Sequence, residues 1–386
     1  MLGLPPSDLT RYKMILTQCA VCATELGLSL GKKCGRCSTR YCGPECQKQH
    51  WEGGGHDQLC KKIKKAGGAE QYHANKKYAE AVTVAAEACA EDTKGQTCYI
   101  CTQALHWKTK EGLVRGCSCR GTAGFAHVSC LAEQAKILVA EAVENNLGNK
   151  VLGERWARWH TCSLCEQDYH SVVAHALGWA CWKTYLGRPE TDVVRKFSMN
   201  LLGNGLSEMN RYADALSVQT AQYKTMERYG ESDHNRLALE SNLASSFEKL
   251  GQGDRALRIR RNVYSKTLRI YGEESIETIE SVINYAQSLM SHAHFEEPKV
   301  LLRKKIPVAR RLLGESHDLT IRLRSTYAVA LYESPNATPD NLREAIKQLE
   351  EAGRITQRVY GGAHPNVAGI ECDLQNARAA LRAHSA

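Results

Sequence analysis

Cysteine and histidine residues in the first half of the chain lie at spacings typical of zinc ligands. Thiolate and imidazole are preferred zinc ligands, and a short Cys-x2-Cys turn lets two sulfurs reach one tetrahedral ion. The first set of eight is Cys19, Cys22, Cys34, Cys37, Cys42, Cys46, His56 and Cys60, and the second is Cys98, Cys101, Cys117, Cys119, His127, Cys130, Cys162 and Cys165. Sixteen ligands divide into four closed sites of four, so we expect four structural zinc ions and no catalytic metal.

The composition limits the class of protein. No apolar run is long enough to span a bilayer, and the N-terminus, with Pro5 and Pro6, lacks a signal-peptide pattern. We therefore expect a cytoplasmic or nuclear protein without a membrane partner, in which dense cysteines bind metal and do not form disulfides. The formal charge of +9 counts the cysteines as neutral. Bound thiolates and zinc ions reduce it to about +3, so nucleic acid is not the expected partner.

Short sequence markers recur with a fixed period in the second half of the chain. Tyr229, Tyr271 and Leu313 each precede a Gly-Glu pair and lie 42 residues apart, and Tyr360 follows after a loop-like insertion at 334–339. The second marker set, in the same register, contains Ala244, Ala286 and Ala328. The intervening segments have a helical pattern and end at glycines suited to a left-handed C-cap. This period predicts an α-solenoid with two helices per unit.

The first ligand set resembles a MYND zinc finger over residues 19–60, with Tyr41, Gln47 and Trp51 beside the ligands. The resemblance implies that the ligands of the two ions interleave. One ion would be held by Cys19, Cys22, Cys42 and Cys46, and the other by Cys34, Cys37, His56 and Cys60. MYND fingers generally bind short proline-containing peptides, so such peptides are the implied partners.

A glycine insertion at 53–55 makes the gap before the last histidine longer than in other MYND fingers. It leaves His50 as an alternative ligand to His56. We favour His56, because its spacing to Cys60 fits one helical turn.

The second ligand set resembles a RING-CH finger, a C4HC3 variant of RING, over residues 98–165. Seven residues separate Cys119 from His127, whereas the PHD finger has the same ligand order but a shorter gap. The resemblance implies cross-bracing, with Cys98, Cys101, His127 and Cys130 on one ion and Cys117, Cys119, Cys162 and Cys165 on the other.

RING-CH fingers recruit a ubiquitin-conjugating enzyme. The matching contact positions in this chain are Ile100 and a tryptophan before the last ligand pair, Trp156 or Trp159. Two features depart from the family pattern: a helix-like insert at 131–144, and Glu166 where active RING fingers often carry a basic side chain.

The periodic segment resembles tetratricopeptide repeats of the 42-residue kind found in kinesin light chains, over residues 197–382. That resemblance implies a concave surface that holds an extended peptide or a partner helix. Between the modules, Tyr78, Val82, Ala85 and Cys89 recur on one face of a helix, so we expect Cys89 to be a packed apolar residue.

Together these patterns predict a mainly α fold, with two small cross-braced two-zinc modules followed by an α-solenoid of about four helix pairs. The expected domains are a MYND finger at 19–60, a helical connector at 61–97, a RING-CH finger at 98–165, a second helical connector at 166–196 and the repeats at 197–382.

The expected function is a RING-CH-type ubiquitin ligase or ligase adaptor that recruits substrates through the MYND finger and the repeats. No catalytic nucleophile is expected, because RING-type ligases act by positioning two reactants. The alternative is a non-enzymatic, zinc-dependent interaction scaffold. We expect the two to be distinguished by whether Ile100 and the nearby tryptophan share one exposed patch, or whether the 131–144 insert covers it.

Overall fold

The structure, a computed structural model, describes residues 19–22, 24, 26, 31–362 and 364–385. The predicted lead-in at 1–18 lies outside these residues. Helices dominate the described part, with fifteen α-helices and one two-stranded sheet. The chain divides into two compact units, the first ending at Ser232 and the second beginning at Asp233. Among the described residues, no helix combines the length and the apolar character needed to cross a membrane.

The first ligand set lies in a small region with little apolar core. Strands β1 (Lys32–Lys33) and β2 (Arg40–Tyr41) pair antiparallel, and helices α1 (Pro44–Glu52) and α2 (His56–Lys65) follow. Apart from the cysteines, the buried apolar side chains of its core are Leu26, Tyr41 and Ile63 among the residues that the structure describes. The burial of these few apolar side chains releases too little free energy to offset the conformational entropy that the chain loses on folding. Metal ligation must therefore contribute to folding.

Helix α3 (Ala69–Ala88) leads to the second ligand set, where α4 (Val128–Glu144), α5 (Gly148–Trp156) and a short 3-10 turn (Ala157–Trp159) separate the ligands. Val82, Ala85 and Cys89 are buried, which confirms the predicted apolar face and the packed Cys89.

Helix α6 (Ser171–Tyr185) lies at the centre of the first unit and is buried on nearly every side. It packs against α3, α4 and α7 (Val193–Glu208), and α7 packs against α8 (Tyr212–Tyr229). Gly178 on α6 and Gly205 on α7 allow the close approach of these helices, since a Cβ on Gly205 would lie 2.9 Å from the Ala174 carbonyl oxygen.

The described residues of the second unit form seven consecutive helices. They are α9 (Asp233–Lys249), α10 (Gly253–Tyr271), α11 (Ile276–Met290), α12 (Glu296–Leu313), α13 (Asp318–Tyr332), α14 (Pro339–Tyr360) and α15 (Pro365–Ser385). Each helix packs against the next, and α11 and α13 also contact the helices two places away. This is the arrangement of an α-solenoid. With α7–α8 in the first unit, the chain has the predicted four helix pairs, followed by α15.

The sequence markers correspond to structural positions in the repeats. Ala244, Ala286 and Ala328 are fully buried in α9, α11 and α13. A glycine directly follows each of the helices α8, α10, α12 and α14. These glycines are Gly230, Gly272, Gly314 and Gly361, and their φ angles of 76°, 77°, 83° and 86° are positive as predicted. Their ψ angles of 154°, −177°, 169° and 158° are extended. The predicted left-handed cap is therefore wrong in ψ, because the chain leaves each helix in an extended conformation open mainly to glycine.

Candidate metal centres

The structure gathers the sixteen candidate ligands into four groups of four. Within each group the ligand atoms all lie within 4.8 Å of one another. The groups are Cys19, Cys22, Cys42 and Cys46; Cys34, Cys37, His56 and Cys60; Cys98, Cys101, His127 and Cys130; and Cys117, Cys119, Cys162 and Cys165. The ligands of both sets therefore interleave in the way that the resemblances imply. Each group consists of two ligand pairs that are separated in the sequence.

The sulfur separations fit zinc and exclude disulfides. The Sγ atoms of Cys22 and Cys42 lie 3.4 Å apart, those of Cys34 and Cys60 3.9 Å apart, and those of Cys119 and Cys162 3.8 Å apart. A disulfide requires about 2.0 Å. A tetrahedral zinc with Zn–S bonds of about 2.3 Å places its sulfurs roughly 3.8 Å apart. The four groups therefore fit four zinc ions.

In the second group the structure places His56, and not His50, beside the three cysteines. His56 is fully buried at the start of α2, with Nε2 3.4 Å from Cys37 Sγ. His50 instead places Nδ1 3.1 Å from the Tyr41 hydroxyl. The glycine insertion makes the turn between them possible, because a Cβ on Gly54 would lie 2.5 Å from the His50 ring.

In the third group a backbone contact orients the histidine. Nδ1 of His127 lies 3.4 Å from Cys101 Sγ and 3.6 Å from Cys130 Sγ. Its Nε2 lies 3.3 Å from the Ala104 carbonyl oxygen. Nε2–H can donate to that carbonyl, which leaves Nδ1 free to bind the ion.

The fourth group takes two ligands from each side of the insert at 131–144. Gly124 passes so close to this group that a Cβ would lie 2.5 Å from Cys119 Cβ, and its φ is +84°. The thiol of Cys117 lowers the pKa of Cys162 to about 4, while the same interaction raises the pKa of Cys117. Cysteines must lose their protons to bind zinc, so zinc binding at this group is coupled to proton release.

Two zinc-binding turns of the second module resemble each other in detail. We call residues 98–101 the first knuckle and residues 162–165 the second knuckle. Ile100 N donates to Cys98 Sγ at 3.4 Å, and Leu164 N donates to Cys162 Sγ at 3.4 Å. Ile100 is 36% exposed and Leu164 is 51% exposed. Both knuckles therefore present an apolar side chain from a backbone that the metal site fixes.

Of the two tryptophans predicted to contact a partner, Trp159 is fully buried and Trp156 is half-buried. Trp159 is fully buried and its Nε1 donates to the Tyr185 hydroxyl at 3.3 Å. The half-buried Trp156 packs on Phe197 and Tyr185, with ring centroids 5.4 Å and 5.9 Å apart. In this structure Trp159 is not available to a partner, because the 131–144 insert and α6 enclose it.

Sequence reasoning did not single out Leu164, although the signal was present. Leu164 occupies the same place in the second knuckle as Ile100 in the first. Leu105 and Trp107 were also missed, and they are 59% and 67% exposed on the loop after the first knuckle. Between them the buried His106 packs edge-on against the His127 ring, with centroids 5.3 Å apart.

Comparisons with known proteins agree with the two ligand sets. The family model described as MYND finger matches residues 19–60, and the model described as RING-variant domain matches residues 98–145. The second match ends before Cys162 and Cys165, which the structure nevertheless brings to Cys117 and Cys119. A search of curated proteins finds no match.

Solved structures with similarity to this chain include BtubC (BKLC) from P. vanneervenii. It shares 15% identity at a TM-score of 0.37, over 66% of this chain and 88% of that one. A Podosopora anserina protein with nearly identical TPR-like repeats of the kinesin light chain kind shares 16% identity at a TM-score of 0.37. That alignment covers 60% of this chain and 97% of the other.

Proposed function

We propose that this chain is a zinc-held adaptor for ubiquitin transfer. Its second module would bind a ubiquitin-conjugating enzyme, while the MYND finger and the helical repeats would hold protein substrates. The observation that carries the proposal is the pair of exposed apolar side chains, Ile100 and Leu164, on the two knuckles. Independently of ubiquitin transfer, the chain combines zinc-binding modules with helical repeats and is a protein-interaction protein.

The knuckles suit a partner surface because their backbones are fixed before binding. Each knuckle has two sulfurs in a metal group and an N–H···S hydrogen bond. A side chain held in this way loses little conformational freedom when a partner covers it. Truncating such an apolar anchor typically costs about 1–2 kcal/mol or more of binding free energy.

A second candidate function is an interaction scaffold that transfers nothing. It is favoured by the burial of Trp159, one of the two tryptophans expected to contact a conjugating enzyme. It is also favoured by Glu166, an exposed carboxylate directly after the last ligand, where active RING fingers often carry a basic side chain.

Discharge of a preformed conjugating-enzyme–ubiquitin thioester onto free lysine tests the proposal. The full zinc-loaded chain should accelerate discharge for at least one member of a panel of conjugating enzymes. Leu164→Asp should remove the acceleration, whereas Leu147→Asp, a matched change at an exposed leucine after α4, should not. Both variants should still contain four zinc ions.

Absence of acceleration with every conjugating enzyme would leave the scaffold as the function. Equal activity of Leu164→Asp and Leu147→Asp would also contradict a role for the knuckles. In either case, zinc content and helical circular dichroism distinguish lost contact from lost folding.

A further inference from the structure

A cavity of about 340 Å³ in the second unit is lined by four arginines. Helices α12, α13 and α14 supply the guanidinium groups. The other residues that line the cavity are Glu315, Glu351 and Ile355. The arginines are Arg310, Arg324, Arg354 and Arg358. Four cationic side chains facing one space repel one another, so the cavity needs anionic partners.

Arg324 forms the floor of this arginine cavity. Its side chain is only 2% exposed, and it forms ion pairs with Glu315 at 3.2 Å and with Glu351. Burying a guanidinium costs free energy that only such pairing offsets. One period earlier the same position is the fully buried Val282, and one period before that it is Glu240. The solenoid itself therefore does not require arginine at this position.

The two glutamates do not neutralise the cavity. Glu315 is shared by Arg310, at 2.8 Å, and Arg324. The hydrogen bond from Arg324 and the nearby positive charges lower the pKa of Glu351, which favours the ionised form of that carboxylate. Four arginines against two glutamates still leave an excess of two positive charges.

The two arginines at the cavity mouth are exposed. Arg358 donates from Nη2 to the Ser316 hydroxyl at 3.3 Å, and Arg354 lies one helical turn before it on α14. Within the described part of the chain, Arg354 forms no ion pair. Residues four apart on a helix lie on one face, so both guanidinium groups can reach one ligand.

We propose that the arginine cavity binds a phosphate monoester on a side chain of a partner protein, as in phosphoserine. A phosphate dianion matches the excess of two positive charges, and guanidinium groups bind phosphate oxygens in a bidentate manner. None of the lining residues is aromatic, so a nucleotide base would have no side chain to stack on. The cations line a cavity that also contains Glu315 and Glu351, which disfavours a flat anionic membrane.

The proposal is independent of ubiquitin transfer, and its test uses the full zinc-loaded chain. Arginine Nε–H resonances would be followed by NMR during titration with a short glycine-flanked phosphoserine peptide and its unphosphorylated twin. Inorganic phosphate and vesicles of phosphatidylcholine with phosphatidylserine would be titrated in parallel. The phosphopeptide should shift the Arg354 and Arg358 resonances saturably, with an affinity at least about tenfold above that of the unphosphorylated peptide.

Arg354→Gln should weaken phosphopeptide binding by about tenfold or more. Arg382→Gln, the same change at an exposed arginine of α15, should leave binding intact. Because Arg354 is exposed, its replacement should not lower the melting temperature. Equal binding of both peptides, equal binding by the two variants, or saturable binding of only inorganic phosphate or only vesicles would overturn the proposal.

Discussion

The side-chain oxygens of Tyr99 and Ser163 lie 3.1 Å apart and join the two knuckles of the second zinc module. The two residues occupy the same place, directly after the first cysteine of each knuckle. Because Cys98 and Cys162 belong to different metal groups, this hydrogen bond links the two ion positions without a shared ligand.

Breaking this link should loosen the module without releasing metal. Tyr99→Phe and Ser163→Ala each remove one hydroxyl and leave all ligands in place. A double-mutant cycle on urea unfolding should give a coupling of about 0.5–1.5 kcal/mol, the usual net value of a hydrogen bond. Ser118→Ala, at a half-buried serine between two ligands of the fourth group, serves as the control. Additive effects of Tyr99→Phe and Ser163→Ala would contradict the link.

Metal content should be four zinc ions per chain by elemental analysis. Cys34→Ser should lower it and unfold the first finger, because the buried group that contains Cys34 takes the place of an apolar core there. Structural zinc typically contributes roughly 10–16 kcal/mol at neutral pH. Cys372→Ser changes an exposed cysteine outside the groups and should keep four ions. A wild-type content near two would mean that one finger is misassigned.

The second unit should fold alone. A fragment of residues 233–386 should show strong helical circular dichroism that is insensitive to EDTA, because its helices contain none of the sixteen ligands. A fragment that starts near residue 190 would add α7 without α6 and expose the buried Val194, Met199 and Leu202. It should therefore aggregate more readily. Loss of helix from the shorter fragment on adding EDTA would contradict the boundary.

Glu166→Arg should increase discharge of the conjugating-enzyme thioester if the chain acts in ubiquitin transfer. Glu166 is exposed directly after Cys165, so an arginine there could contact the bound ubiquitin. Glu154→Arg makes the same charge change at an exposed position on α5 and should have no effect. Equal rates for both variants would show that Glu166 does not limit ubiquitin transfer.

Stability should fall in mild acid because of His175. This residue is buried on α6, its Nε2 accepts a hydrogen bond from Trp179 Nε1 at 3.1 Å, and burial lowers its pKa to about 4. The unfolded chain has a histidine pKa of about 6.5, so below that value the unfolded state binds the extra proton and gains stability. At pH 5 the loss is at most about 2 kcal/mol.

Comparison of urea midpoints at pH 7 and pH 5 measures this effect. His175→Gln keeps an acceptor for Trp179 but does not titrate, so its midpoint should change less between the two pH values. Protonation of the zinc ligands affects both proteins equally and cancels in the difference. Identical changes in wild type and variant would show that His175 is not responsible.

The ligand pairs and the repeat period could be read from the sequence because both depend on local spacing. Cys98 and Cys101 reach one ion through a single turn, and Ala286 and Ala328 repeat because each unit meets only its neighbours. The burial of Trp159 could not be predicted in this way, because it depends on contacts with α4 and α6, which are distant segments of the chain. The roles of Ile100 and Trp156 remain predictions. The extended ψ of Gly272 was missed because a glycine after a helix permits several conformations.

The insert between the third and fourth ion positions has a consequence for chain synthesis. Cys119 leaves the ribosome 43 residues before Cys162, with α4 and α5 between them. At translation rates of about 5–20 residues per second, the first half of the fourth site waits roughly 2–9 s for its second half. During that interval two thiols are open to oxidation or to a competing metal. The yield of finished protein should therefore depend on how much zinc is available while the chain is being made.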